Sequence, residues 1–293
     1  MLSEGKVVMP SRTVMWVKGN WWGIMQAYVP NHGVGVKIVN VIPKNVERGL
    51  PTIQALVTLF DEDLGSPLAV IEGSVLTALR TAAASALSIK YLAPTEGSLG
   101  IIGTGYQARY QLRFALEYFK AHEVKIYDVR PKAMEGFKRY AREELGIDVT
   151  VCKNSDEVVK GASLIIEAST TKEPVIHGRY LSEPVHVVSI GAHTPESRAI
   201  DDDAIKLANY FVVDYRKAVL EETGDVIIPV KEGLLNINKV CELGELVSGK
   251  CVVRKGEGVS IYKSVGVAIQ DVCAANYAYK LATKERLGKY VEL

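Results

Sequence analysis

The stretch GSLGIIGTGYQARYQLRFALEYFKAHEVKIYD, residues 97–128, decides the fold. Leu99 to Ile102 is a short apolar run of strand type, and Gly103-Thr104-Gly105 follows at once. A helix is expected from Gln107 to Phe119, with apolar positions at Leu112, Ala115, Leu116 and Phe119. A second β-branched run, Val124 to Tyr127, ends in Asp128. Strand, glycine turn, helix and strand, closed by an acid about 20 residues beyond the glycines, form the pattern of a dinucleotide-binding unit. Gly103 permits the tight turn, and Gly105 removes a side chain where a pyrophosphate approaches the backbone. The N–H groups at the start of the helix, across Thr104, Tyr106, Gln107 and Ala108, are the expected phosphate donors. Ala108 stands in the third glycine position and still lets helix and strand pack closely. Asp128 is expected to accept hydrogen bonds from ribose hydroxyls, which favours NAD(H). Arg130, two residues on, could neutralise a 2′-phosphate, so NADP(H) stays open as a second cofactor.

Working outward, apolar strands alternate with helices from Ser98 onward. Strands are expected at 124–128, 149–152, 164–168, 185–190 and 211–214, with helices at 132–145, 155–160 and 202–207. Near-continuous apolar strands between helices mean a parallel, doubly wound sheet with its ligand beyond the strands' carboxyl ends. Ser169, Thr170 and Thr171 end one strand at that edge and are assigned to the cofactor. Asp214 ends another, either to meet the ligand or to cap the next helix.

Residues 1 to about 73 read differently. Runs at 13–17, 21–29, 33–42, 52–60 and 67–71 are rich in Val, Ile and aromatics and are separated by turn signals, which suggests an antiparallel sheet. A helix is expected from Ser74 to Ala93, ended by Pro94. Near the other end, 259–262 reads as a strand and 265–286 as a long amphipathic helix that returns to the first domain.

Composition narrows the function classes. A chain of 293 residues can hold two domains, and a net charge of +1 gives no electrostatic reason for a nucleic-acid or acidic-membrane partner. No apolar run reaches transmembrane length, and the first residues lack the apolar core of a signal peptide. Cys152, Cys241, Cys251 and Cys273 form no CxxC pair and read as reduced packing residues of a cytoplasmic protein. The five histidines show no ligand spacing, so no metal is expected.

More extended segments carry a resemblance. GVKIVNVIPKN (35–45), the run 49–93 ending LTALRTAAASALSIKYLA, GTGYQA (103–108), EASTTKEPV (167–175), IGAHTPESRAID (190–201) and YKSVGVAIQDVCAA (262–275) resemble the ornithine cyclodeaminase/mu-crystallin family. The resemblance runs through nearly the whole chain in order. It implies a two-domain NAD(P)-dependent enzyme acting on small amino or imino acids. It also implies a homodimer joined through the β-rich domain. The expected division is residues 1–95 with 266–293 as substrate-binding and dimerisation domain, and 96–265 as a Rossmann-type dinucleotide-binding domain. Lys37 matches the family's active-site lysine, Arg80 its substrate-carboxylate arginine, and Arg12 the second arginine of that clamp. A planar guanidinium suits a carboxylate, and Arg80 lies among small residues suited to burial, where an arginine needs an anionic partner. Lys263 and Gly266 match the family's KSxG segment and are assigned to the cofactor.

Two departures shape the functional expectation. Ornithine cyclodeaminases and some related alanine dehydrogenases carry an aspartate where this chain has His193. Without that carboxylate, cyclodeamination is disfavoured, and GAHTPE resembles the family's ketimine reductases. His193 is retained as a catalytic candidate, with a merely packed histidine as the other reading. Family members also carry a helical arm before the segment matching GKVVMPSR, and only Met1 to Glu4 precede it here, so part of the domain surface is expected to be built differently. The expectation is an NADH-preferring reductase of Δ1-pyrroline-2-carboxylate. Alanine dehydrogenase, ornithine cyclodeaminase and a mu-crystallin-like binding protein are the alternatives.

Overall fold

The structure is a computed structural model and describes residues 5–292. Met1 to Glu4, on which the expectation of a differently built domain surface rests, and Leu293 lie outside the described residues. In chain order the elements are β1 (Thr13–Val17), β2 (Asn20–Val29), β3 (Gly33–Val41), β4 (Ile53–Phe60), β5 (Pro67–Glu72), α1 (Gly73–Leu92), β6 (Glu96–Ile102) and α2 (Tyr106–Ala115). Then come β7 (Lys120–Tyr127), α3 (Pro131–Leu145), β8 (Thr150–Val151), α4 (Ser155–Val159), β9 (Leu164–Glu167), β10 (Val185–Ser189), α5 (Asp202–Leu207) and β11 (Ala208–Val213). The chain closes with α6 (Arg216–Glu222), α7 (Gly224–Lys231), β12 (Cys241–Glu242), α8 (Leu243–Val247), β13 (Val259–Lys263) and α9 (Ala268–Glu285).

These elements form two compact units. One runs to Arg80 and resumes at Val267; the other is Thr81–Gly266. The division falls inside α1, whereas turn signals draw it after that helix, at residue 95. The reason lies in packing: Leu76 joins the first unit's core, while Ala84, Ile89 and Leu92 join a core of the second.

The first unit is an antiparallel meander ordered β1-β2-β3-β4-β5. Alternation along β2 buries Trp21, Met25, Ala27 and Val29 on one face; along β3 it buries Gly33, Gly35, Lys37 and Val39. Lys37 therefore points into the covered face, flanked in register by Met25 and Val57. Helix α9 covers that face with Ala268, Val272 and Ala275. It lies so close that a Cβ on Gly35 would sit 2.7 Å from Val272 Cγ2. Helix α1 starts where Glu72 caps it, accepting from the Ser74 and Val75 N–H groups at 2.7 and 2.9 Å.

The second unit is a Rossmann-type sheet ordered β12-β11-β13-β10-β9-β6-β7-β8, with parallel neighbours throughout. The order reverses at β6, so the crevice between the β6 and β9 ends is the switch point where such sheets take ligands. Its interior seals His186, whose Nδ1 and Nε2 lie 2.8 Å from Ser260 Oγ and 3.0 Å from Ser88 Oγ. Burial pushes that imidazole down to about 3, so it is neutral.

Two local expectations need correction. Helix α2 ends at Ala115 rather than Phe119: the chain tightens at Leu116, and Phe119 is buried by the turn into β7. The cysteines are not all reduced, because Cys241 and Cys251 form a disulfide with Cα atoms 6.4 Å apart. The nine residues between them, 242–250, fold α8 and its following turn back onto β12, a pairing that spacing alone does not reveal. Among the described residues no helix is long and apolar enough to cross a membrane.

Candidate active site

The first unit concentrates positive charge around one buried acid. Lys37 is 1% exposed, and its ammonium lies 2.8 Å from Oδ2 and 2.9 Å from Oδ1 of Asp271, itself 2% exposed. Arg80, also buried, donates from Nε to the same Oδ1 at 2.9 Å and from Nη1 to Gln270 Oε1 at 2.8 Å. Arg12 is partly buried, stacks over the Trp21 ring at 5.8 Å, and is near enough to act on Lys37 through charge. Lys37, Arg80 and Arg12, all singled out from sequence, are thus brought together.

The cluster's titration follows from its crowding. Burial pushes Lys37 down to about 7, helped by repulsion from Arg80 and opposed by Asp271. Burial alone would raise the Asp271 carboxyl, but Arg80 and Lys37 outweigh it and hold the group below the usual carboxylate range. Chemically, such a cluster can grip an anion and exchange a proton near neutral pH. Asp271 was not singled out from sequence. Its signal is an acid lying between Ala268, Val272 and Ala275 on the apolar stripe of a helix, where a charge requires a buried partner.

The second unit carries the glycine turn. Gly103 has φ +84, and a Cβ there would lie 2.7 Å from Ser169 N and Cα, so only glycine fits. At Gly105 a Cβ would meet nothing within 4 Å, and no side chain caps the start of α2. Open space over an uncapped helix start fits a pyrophosphate. Asp128 lies beside the turn, accepting from Thr104 N at 2.8 Å, Thr104 Oγ1 at 3.2 Å, Arg130 N at 2.9 Å and Arg130 Nε at 3.2 Å. Burial pushes its carboxyl up, but these bonds prevail and keep it ionised. Tyr106 is exposed at the helix start with its hydroxyl 3.1 Å from that of Tyr110, and Gln107 and Ala108 follow toward the core.

The remaining candidates sit along the carboxyl ends of β9, β10, β11 and β13. Glu167 is fully buried and accepts from Ser169 N and Oγ at 2.8 and 2.6 Å, Ser189 Oγ at 2.9 Å and Gly191 N at 3.1 Å. Ser169 is thereby tied back to β9, Thr170 is exposed, and Thr171 Oγ1 donates to Glu173 O. Lys263 is fully buried and engaged by Asp225 Oδ2 at 2.8 Å and Ser189 Oγ at 3.1 Å. Asp214 accepts from Ser264 Oγ at 2.7 Å and from the N–H groups of Val265 and Gly266 at 2.9 and 2.7 Å, which shapes the turn after β13. His193 places Nδ1 2.8 Å from Gly191 O. Glu167 and Asp225 were not singled out from sequence. Glu167 ends an apolar run and Asp225 opens one, each beside a small residue, the hint of their burial.

The model of the ornithine cyclodeaminase/mu-crystallin family matches residues 1–286. A Δ1-pyrroline-2-carboxylate reductase from Bacillus cereus is 37% identical over 262 residues, which is 88% of this chain and 80% of that one. Among solved structures, Thermococcus litoralis Δ1-pyrroline-2-carboxylate reductase in complex with NADH and L-proline superposes with a TM-score of 0.94 at 35% identity, covering 99% of this chain and 91% of that one. An archaeal alanine dehydrogenase dimer with bound NAD superposes with a TM-score of 0.91 at 32% identity, covering 100% and 90%. A family match over almost the whole length, with the same two-unit fold, has one meaning: the chain belongs to the ornithine cyclodeaminase/mu-crystallin family.

Proposed function

We propose that the chain is an NADH-preferring reductase of a small cyclic ketimine, converting Δ1-pyrroline-2-carboxylate to L-proline. The observation that carries this reading is the buried cluster in which two cations, Lys37 and Arg80, share one acid, Asp271, among the described residues. It is supported by the B. cereus reductase at 37% identity and by the T. litoralis reductase, whose complex holds NADH and L-proline.

Arg80, through its Nη2, and Arg12 would hold the substrate carboxylate by charge-assisted hydrogen bonds that fix the ring's orientation. Lys37, poised near 7, would give a proton at the imine nitrogen and regain one from solvent. The dinucleotide would be held by the turn Gly103–Gly105, the start of α2 through Tyr106, Gln107 and Ala108, and the loop Ser169–Thr171, with Asp128 at the ribose. When bound, NADH supplies the hydride that reduces the ring carbon. Asp214, Lys263 and Gly266 would serve the cofactor by holding the turn after β13. His193, held by Gly191 O, would line the same edge. Catalysis of this kind rests on orientation and charge placement and needs no nucleophile.

A second reading is alanine dehydrogenase, favoured by the archaeal dimer at 32% identity. That likeness also supports a homodimer. The uncovered face of the first unit's sheet would form it, where Met15, Ile38, Leu56 and Val70 are exposed. A cytoplasmic location completes the proposal. The test is NADH oxidation with Δ1-pyrroline-2-carboxylate against pyruvate plus ammonia, each repeated with NADPH. Oxidation with the cyclic imine, faster with NADH, is the expected result. Oxidation with pyruvate and ammonia alone moves the chain to alanine dehydrogenase, and silence on both overturns the reductase reading.

A further inference from the structure

We propose that Asp271 is a positioning residue: its carboxylate holds the Lys37 ammonium and the Arg80 guanidinium in the arrangement that presents both to the substrate. The proposal rests on the ketimine-reductase reading and deepens it.

The geometry is that of a shared anchor. Asp271 Oδ1 receives Lys37 Nζ and Arg80 Nε, each at 2.9 Å, from positions 234 and 191 residues away. Gln270, one residue earlier, takes Arg80 Nη1 at 2.8 Å. With Nε and Nη1 both held by the first turn of α9, the guanidinium cannot turn about its stem. Nη2 is the donor we assign to the substrate carboxylate. Helix α9 does not need this acid to stay on the sheet, because Ala268, Val272 and Ala275 already pack there.

Charge balance gives the acid its second task. The groups facing Lys37 are Arg80 from α1, Arg12 from the segment before β1, and Asp271 from α9. Arginine does not give up its proton, so in a cluster of three cations lysine is the group that discharges. Asp271 opposes that discharge and keeps a transferable proton on Lys37 before substrate arrives. A bound carboxylate adds a second negative charge and strengthens the same effect.

The experiment compares wild type with Asp271→Asn and Asp271→Glu. Steady-state rates with Δ1-pyrroline-2-carboxylate and NADH are followed across pH. Binding of pyrrole-2-carboxylate, a planar ring carboxylate, is measured by calorimetry without turnover. Asp271→Asn is expected to lower kcat at least about tenfold and to raise KM. It should also move the alkaline limb of the pH profile down by about 1 unit, the size expected for loss of one nearby opposite charge. NADH binding, read by fluorescence, should not change. Asp271→Glu keeps the charge but displaces it by one methylene, so it should restore the limb while KM stays raised. An Asp271→Asn enzyme with wild-type limb and wild-type affinity for pyrrole-2-carboxylate overturns the proposal. Should that variant fail to fold, a wild-type KM in Asp271→Glu overturns it equally. Wild-type protein inactive with the cyclic imine overturns the reductase reading instead, and pyrrole-2-carboxylate binding still decides the part played by Asp271.

Discussion

Among the described residues two lysines are sealed from solvent, and each faces an aspartate at 2.8 Å: Lys37 with Asp271 in the first unit, Lys263 with Asp225 in the second. Their surroundings differ in sign. Around Lys37 stand two more cations, Arg80 and Arg12, and burial with that repulsion brings the ammonium to about 7. Around Lys263 stand a second acid, Glu167, and a set of donors that complete the pair. Asp225 Oδ1 accepts from Ala199 N at 2.7 Å and Ile200 N at 3.0 Å, and Ser189 Oγ meets the ammonium. Burial, with the Asp225 charge, pushes the Glu167 carboxyl up against the pull of Lys263. One pair lacks a negative charge, which a substrate can bring. The other is already satisfied and ties strand ends together. A buried ion pair is therefore not in itself a mark of chemistry; its unbalanced neighbourhood is.

That contrast can be broken from either side. The largest effect is expected from Lys263→Met, which leaves the buried Asp225 at the start of α7 without its cation and should cost about 3–5 kcal/mol, read as a fall in the urea midpoint. Lys37→Ala should instead cut turnover about 100-fold or more while leaving NADH binding intact. Its stability should stay level or rise, because it removes one of several crowded cations. A matching loss of stability in Lys37→Ala would erase the distinction. Gly35→Ala sharpens it further: the added Cβ presses on Val272, shifts α9 with Asp271, and should cost about 1–3 kcal/mol together with a raised KM. The smallest effect belongs to Arg130→Ala, on the cofactor side. Its pair with Asp128 is half-exposed and such pairs contribute under about 1 kcal/mol, so the NADPH-to-NADH rate ratio should fall about threefold.

Much of this architecture was legible because it is local. Alternation along Trp21–Val29 and Gly33–Ile42 marks strands that the structure places at Asn20–Val29 and Gly33–Val41. The glycine turn with Asp128 marks β6, α2 and β7. Residues 216–247 show no clear periodicity in the sequence, yet they hold α6, α7 and α8. Pro229 lies inside α7, and these helices are short, so neither periodicity nor breaker signals reveal them. Lys37 and Arg80 were found through family resemblance, whereas Asp271 was not. Its meaning depends on two cations far away in the chain, and a single acid in an amphipathic helix ordinarily reads as a solvated position. Lys263 shows the converse. The KSVG segment drew attention to it, but only the fold reveals Asp225 and Ser189 around its ammonium.

The eight-stranded sheet ends in two very short strands, Thr150–Val151 on one side and Cys241–Glu242 on the other. Exposed sheet rims are templates on which another chain can add a strand, and long flat rims promote aggregation. Here each rim offers a ladder of two residues, and one rim is also held covalently through Cys241 and Cys251. An otherwise highly apolar parallel sheet thus presents almost no surface for edge-to-edge growth, which protects the folded unit against self-association into β-rich polymers.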